Sequence, residues 1–187
     1  MADDHTLYEA IQAGHVESLQ VLITRHHRAL FDFVFRLTDD RDLTDDLVQQ
    51  TFIRLIQYRG AVPNQLRSWL FTIARNLAYD HFRSAQFRHE SPSSFEEEEV
   101  WEADSKSEFP EQLYIVADER QTIIKLLQNL PLEQREVVIL RFYHDLPLQS
   151  IAHVTNAPLG TVKSRLFHGL QKLKQQYLIL RHADEHT

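Results

Sequence analysis

The sequence predicts an all-α protein, two small helical domains joined by an acidic linker, and three observations lead there. Apolar residues recur at intervals of three and four along residues 1–83 and 119–187, the spacing that lines one side of a helix, and no alternating strand pattern competes. Glycine occurs four times in 187 residues, so long helices meet few natural breaks. The charge is unevenly divided. Residues 1–83 carry nine Arg against eleven Asp and Glu, residues 84–118 two basic against ten acidic side chains, and residues 119–187 nine basic against six acidic, which gives −2, −8 and +3 within a total of −7.

In the first domain, residues 1–83, the apolar pattern predicts a helix over 6–12 with a break at Gly14, a second over 16–37, a third over 44–58 and a fourth over 66–83. Thr44 suits the N-cap of the third, with Asp45 and Asp46 facing the positive end of its dipole. Leu43, Leu47, Phe52, Leu55 and Ile56 form its expected buried stripe. Residues 84–118 change to Ser91-Pro92-Ser93-Ser94, Glu96-Glu97-Glu98-Glu99 and Asp104-Ser105-Lys106-Ser107, a composition whose apolar content cannot offset the entropy of ordering it alone. Two readings stay open for this linker: a solvated tether, or a segment whose carboxylates and scattered Phe95, Val100, Trp101 and Phe109 fold onto a partner. In residues 119–187, Ile123, Leu126, Leu127 and Leu130 make one stripe, Pro131 suits a first helical turn, and Val137, Val138, Leu140 and Arg141 continue the next helix. Helicity is expected to about residue 180, with a short tail after Tyr177 and no third domain.

A chain of this length, 43% hydrophobic, can bury one medium core or two small ones, and the spread of its features favours two. With no cysteine, disulfides and thiolate metal sites are excluded and a reducing cytosol is allowed. The start, Met1-Ala2-Asp3-Asp4-His5, is polar, and no apolar run approaches the ~20 residues of a membrane span, so a soluble, cytoplasmic protein without membrane insertion is expected.

The most informative stretch is Leu159-Gly160-Thr161-Val162-Lys163-Ser164-Arg165-Leu166-Phe167. At about 100° per residue, Val162, Leu166, Leu170 and Leu173 fall in one arc that can pack on a core, while Lys163, Ser164, Phe167, His168 and Gln171 point away. Upstream, Leu148, Ile151, Ala152 and Thr155 stand at helical spacing before a break at Asn156-Ala157-Pro158. Two short helices with such a turn make a helix-turn-helix, whose second helix enters the major groove of DNA. The local charge of +3 attracts phosphate but is modest, which predicts work inside a larger complex that supplies most backbone contacts.

Two further surfaces stand out. On the fourth helix Thr72, Arg75, Asn76, Tyr79 and Arg83 share one arc, and cations, an amide and a ring together suit single-stranded or melted nucleic acid; a solvated face is the competing reading. On the third helix Asp45, Asp46, Gln49, Gln50 and Arg54 point outward, a set that repels phosphate and fits a protein partner or plain solvent. Nothing suggests chemistry or a cofactor. His26 and His27 are adjacent and so face different ways on a helix, His81 and His89 lack an acid in register, and no Gly-rich phosphate loop or nucleophile elbow is present.

Read in order, Asp45-Asp46-Leu47-Val48-Gln49-Gln50-Thr51-Phe52 resembles region 2.2 of the bacterial sigma factors of the extracytoplasmic-function (ECF) group. Arg67-Ser68-Trp69-Leu70-Phe71-Thr72-Ile73-Ala74-Arg75-Asn76 resembles regions 2.3 and 2.4, and Leu130-Pro131-Leu132-Glu133-Gln134-Arg135-Glu136-Val137 with Gly160-Thr161-Val162-Lys163-Ser164-Arg165 resembles region 4. The likeness covers residues 7–174.

The resemblance implies a promoter-specificity subunit of RNA polymerase and not an enzyme. It implies that Asp46, Gln49, Gln50 and Arg54 dock on the clamp coiled coil of core polymerase, whose flap is a further contact. It implies minus-ten recognition and melting by Asn64, Arg67, Thr72, Arg75, Asn76, Tyr79 and Arg83, the loop over residues 58–66 capturing a flipped base with Asn76. Minus-thirty-five recognition falls to Thr161, Lys163, Ser164, Arg165, Phe167 and His168: cations for phosphate or guanine, a hydroxyl for a hydrogen bond, a ring for a thymine methyl. An anti-sigma protein is a further implied partner. The chain departs from the family pattern at Gln50, where Glu is usual, at His168, where a second Arg is common, and in Gly60-Ala61-Val62-Pro63-Asn64, which lacks the usual aromatic. Two other functions are consistent with the residues: a dimeric helix-turn-helix repressor or activator that needs no N-terminal bundle, and an adaptor that binds polymerase but no DNA.

Overall fold

The computed structural model describes residues 2–61, 63–88 and 120–184, and the linker residues singled out above, Phe95 to Phe109, lie outside them. Among the described residues there are eight helices and no strand: α1 (Asp4–Gln12), α2 (Val16–Thr38), α3 (Arg41–Gln57), α4 (Leu66–Arg88), α5 (Arg120–Gln128), α6 (Leu132–Phe142), α7 (Leu148–Thr155) and α8 (Leu159–Asp184). The chain divides into two compact units, one holding α1–α4 and the other α5, α6, α8 and most of α7. The all-α, two-domain expectation is met. No described helix is long and apolar enough to cross a membrane.

In the first unit each helix end has a local cause. Asp3 caps α1 by accepting the Thr6 N–H at 2.8 Å, a bond that also holds its carboxyl below the usual carboxylate range. Gly14, at φ +94°, turns the chain where a side chain would be strained. α2 stops at Asp39 in the left-handed region, whose N–H reaches the Phe35 carbonyl at 2.8 Å. The cap of α3 is Asp40, accepting the Leu43 N–H at 3.0 Å, and not Thr44 as the sequence suggested. Thr44 lies fully buried inside the helix and donates its hydroxyl to the Asp40 carbonyl at 2.6 Å, so Asp42 is the first-turn acid and Asp45 and Asp46 sit a turn later.

The core of this unit is built by Tyr8 from α1, Leu22, Leu30, Phe33, Val34 and Leu37 from α2, Leu47, Val48 and Leu55 from α3, and Leu70, Phe71, Ala74 and Ala78 from α4. Phe33 meets Phe71 edge to face at 5.3 Å. The expected stripe of α3 needs correction: Ile56 is exposed and Leu43 half-buried, while Thr44 and Thr51 take buried places by turning their hydroxyls onto carbonyls four residues back. α4 runs five residues beyond the expected 83.

Asp4 ties α1 to α2 by pairing with Arg25 and with the His26 ring, whose Nε2 lies 2.8 Å from its carboxylate. Burial pushes the His26 imidazole below its usual value, against the opposing pull of Asp4. A histidine so depressed is neutral in the folded chain and takes up a proton more readily when unfolded, so its contribution is intact above about pH 6.5 and is lost as pH falls below that. The unfolding midpoint is therefore expected to drop between pH 7 and pH 5 in the native chain and to drop less in His26→Gln; parallel curves in chemical denaturation would refute this.

In the second unit, Ile123, Leu126, Leu127 and Leu130 are all buried, as the stripe predicts. Pro131 stands one position earlier than expected, at the cap of α6, and its carbonyl accepts the Gln134 and Arg135 N–H groups at 3.0 and 2.9 Å. Arg135 turns back to close α5, donating to the Gln128 side chain at 2.5 Å and to the Gln128 and Leu130 carbonyls at 2.8 and 3.1 Å. The Gln128 carbonyl ends α5 and that of Leu130 lies in the turn beyond it, so a forked cation suits both. Val137, Val138, Ile139 and Leu140 bury the body of α6. Gly169 lets α8 lie close on it: a Cβ there would stand 3.0 Å from Val138 Cγ2. α8 runs to Asp184, four residues beyond the expected 180.

Candidate nucleic-acid interface

The turn between α7 and α8 follows from three residues. Asn156, at φ +52°, takes the left-handed conformation that asparagine tolerates, and the Ala157 N–H closes on the Ala152 carbonyl at 3.1 Å. Pro158 then starts α8, its carbonyl accepting the Val162 N–H at 3.0 Å. Ile151 and Val154 bury α7, and Val162, Leu166, Leu170 and Leu173 bury one side of α8, so the two helices form a helix-turn-helix.

The opposite side of α8 presents the expected set. Lys163 and His168 are exposed, and Thr161, Ser164, Arg165 and Phe167 are half-buried. The Phe167 ring, expected to be fully outward, rests partly covered with its edge near His168, centroids 5.5 Å apart. This face carries two cations, two hydroxyls and a ring on a helix whose rear is pinned by four core residues.

On α4 the structure brings three of the expected side chains together. The Arg75 guanidinium lies 4.0 Å from the centre of the Tyr79 ring and donates to Asn76 Oδ1 at 3.3 Å. Asn76 and Arg83 are exposed, and Thr72 is half-buried with its hydroxyl donated to the Ser68 carbonyl at 3.0 Å. Arg67 is exposed one turn before the cluster and packs over Phe71 at 5.8 Å, and Asn64 is exposed in the preceding loop. The cluster rests on a buried rear of Leu70, Phe71, Ala74, Leu77 and Ala78, with Trp69 and Ile73 half-buried beside it.

The loop between α3 and α4 lacks an aromatic within residues 60–64, but one stands at its start. Tyr58 is 37% exposed, its ring 4.8 Å from Trp69, and the chain folds back so closely that a Cβ on Gly60 would meet the Tyr58 hydroxyl. Sequence reasoning did not single out Tyr58 or Trp69 here, because their approach joins two helices and has no periodic signature.

On α3, Asp46, Gln49, Gln50 and Arg54 are all exposed, and Ile53, 43% exposed, lies among them. Ile53 was also missed, since the sequence reading placed it neither in the buried stripe of α3 nor on its outward face. No group of three or more His, Asp or Glu that could hold a metal occurs among the described residues.

Residues 22–88 match the family model for Sigma-70 region 2, and residues 120–173 match that for Sigma-70, region 4. The chain is 30% identical over 165 residues to the ECF RNA polymerase sigma factor SigL of Mycobacterium tuberculosis, covering 87% of this chain and 90% of that protein. It is 26% identical over 167 residues to the ECF RNA polymerase sigma factor SigX of Bacillus subtilis, covering 88% and 86%. Among solved structures it is similar to the sigma factor RpoE of Bartonella quintana, seen in complex with the anti-sigma factor NepR, at a TM-score of 0.64 and 25% identity over 83% of this chain and 94% of that one. With its helical bundle, its helix-turn-helix and these matches over both, the chain belongs to the ECF family of RNA polymerase sigma factors, non-catalytic subunits that recognise promoters and start transcription.

Proposed function

We propose that the chain assigns promoter reading to two separate faces while mounted on core RNA polymerase. Residues 1–83 dock through Asp46, Gln49, Gln50 and Arg54 on the clamp coiled coil, with Ile53 adding an apolar contact at the centre of that patch. The α4 cluster of Arg75, Asn76 and Tyr79, flanked by Asn64, Arg67, Thr72 and Arg83, reads and opens the minus-ten element: rings stack on unpaired bases and guanidinium groups neutralise phosphate. Residues 119–187 work beside the flap and place Thr161, Lys163, Ser164, Arg165, Phe167 and His168 in the major groove at the minus-thirty-five element. Residues 84–118 act as the acidic connection. The observation that supports this reading most is the Arg75–Tyr79 stack beside exposed Asn76, which a duplex-binding repressor has no use for.

The setting is the cytoplasm, where the polymerase works. An anti-sigma protein is a further partner in this proposal, supported by the similarity to a sigma factor crystallised with one. Transcription in vitro with core polymerase and genomic DNA tests the whole: the full chain is expected to start transcripts at a restricted promoter set with melted DNA at each start. Binding to duplex sites without polymerase, and no melting with it, would overturn the proposal.

A further inference from the structure

α1 lies before residue 22, where the match to Sigma-70 region 2 begins, yet it reaches across the bundle to the point where the chain leaves α3. A helix end leaves carbonyls without intrahelical donors. At the end of α3 those of Leu55, Ile56 and Tyr58 are satisfied by side chains. The Tyr8 hydroxyl lies 3.4 Å from the Leu55 carbonyl and 3.2 Å from that of Tyr58, Gln12 Nε2 donates to the Tyr58 carbonyl at 3.4 Å, and Arg59 donates to Ile56 at 2.6 Å. Tyr8 is completely buried, and its ring meets Trp69 edge-on at 6.3 Å while Trp69 packs on Tyr58 at 4.8 Å. One side chain from α1 therefore touches both ends of the loop, the last turn of α3 and the first turn of α4. Gly60 then lays the chain against the Tyr58 ring, so the position of Tyr58 sets the course of the backbone at Gly60.

We propose that Tyr8 is a positioning residue for minus-ten specificity: its hydroxyl, sharing one proton between the Leu55 and Tyr58 carbonyls, holds the end of α3, and through Tyr58 and Gly60 it sets where the loop bearing Asn64 meets the captured base. The inference rests on the reading of residues 58–66 as the base-capturing loop. Base selection depends on placement finer than an ångström, and a loop anchored only by its own short length would not hold it. Tyr8→Phe keeps the buried ring and its contact with Trp69 and removes only the hydroxyl, so the variant is expected to fold and to bind core polymerase as the native chain does.

The test is transcription by core polymerase with the full chain on a promoter library randomised across the minus-ten element, with the products sequenced. Asn64→Ala serves as the control for the loop itself. Tyr8→Phe is expected to weaken discrimination at the captured base by about fivefold, the weight of one net hydrogen bond, with affinity for core polymerase and discrimination at minus-thirty-five unchanged. If Asn64→Ala flattens the profile and Tyr8→Phe leaves it as in the native chain, Tyr8 is only part of the core and the proposal is wrong. If neither variant alters the profile, the loop does not capture a base and the proposal falls with that reading. A loss spread equally over every promoter position in Tyr8→Phe would also overturn it, since that is what simple destabilisation gives.

Discussion

Arg75→Ala is expected to slow promoter opening by about 30-fold, in the range that one lost stacking or charge contact to melted DNA allows, while initial recruitment stays within about twofold. The guanidinium does two things at once: it lies 4.0 Å over the Tyr79 ring and holds Asn76 Oδ1 at 3.3 Å. Its removal takes away a cation and also one contact each from Tyr79 and Asn76, so the loss exceeds that of one phosphate contact. Recruitment is spared because the docking face proposed on α3 and the recognition face proposed on α8 carry none of these residues. Stability is expected to change little, since Arg75 is half-buried and the rear of α4 is held by Leu70, Phe71, Ala74 and Ala78. Permanganate reactivity of unpaired thymines measures opening, and retention on native gels measures recruitment. Equal loss in both would show that α4 serves binding and not melting.

What could be read from sequence followed the reach of each interaction. The stripe Val162, Leu166, Leu170 and Leu173 was legible because a buried helix side repeats at 3.6 residues whatever it packs on, and the same holds for Ile123, Leu126, Leu127 and Leu130. The turn at Asn156 to Pro158 was legible through residue types that tolerate its backbone. Thr44 misled because a threonine before an apolar run looks like a cap, whereas Asp40 competes better and the Thr44 hydroxyl can be hidden by bonding four residues back. Ile56 misled in the opposite sense, being apolar at helical spacing and yet exposed, while Ile53, also exposed, had been placed on neither face. The hardest feature to foresee was Tyr8, whose bonds to Leu55 and Tyr58 span 47 and 50 residues of chain, a separation at which no local pattern survives. The Arg75–Tyr79 pair lay between these cases: its four-residue spacing puts both on one face, but which ring the guanidinium covers depends on the fold.

Two substitutions on α8 separate the helix as a folded object from the helix as a reader of DNA. Leu166 is 1% exposed, so Leu166→Ala removes buried methyl groups and leaves a cavity, a change that costs about 3 kcal/mol in a close-packed core. Hydrogen-exchange protection of α8 amides is then expected to fall by about 100-fold while that of α3 amides is unchanged, and promoter recruitment becomes temperature-sensitive. Lys163 is exposed on the other face, three positions before Leu166. Lys163→Ala gives up no packing and replaces a good helix former by a better one, so protection in α8 is retained or slightly raised. Its effect appears on DNA instead: binding by the holoenzyme weakens, and the slope of log affinity against log salt falls by about one, the signature of a single lost phosphate contact. If Lys163→Ala instead relaxes the choice of base at one position with the salt slope intact, Lys163 contacts a guanine edge and not the backbone. If it does neither, the face of α8 that the four buried leucine and valine side chains leave outward does not meet DNA, and the helix-turn-helix serves some other surface.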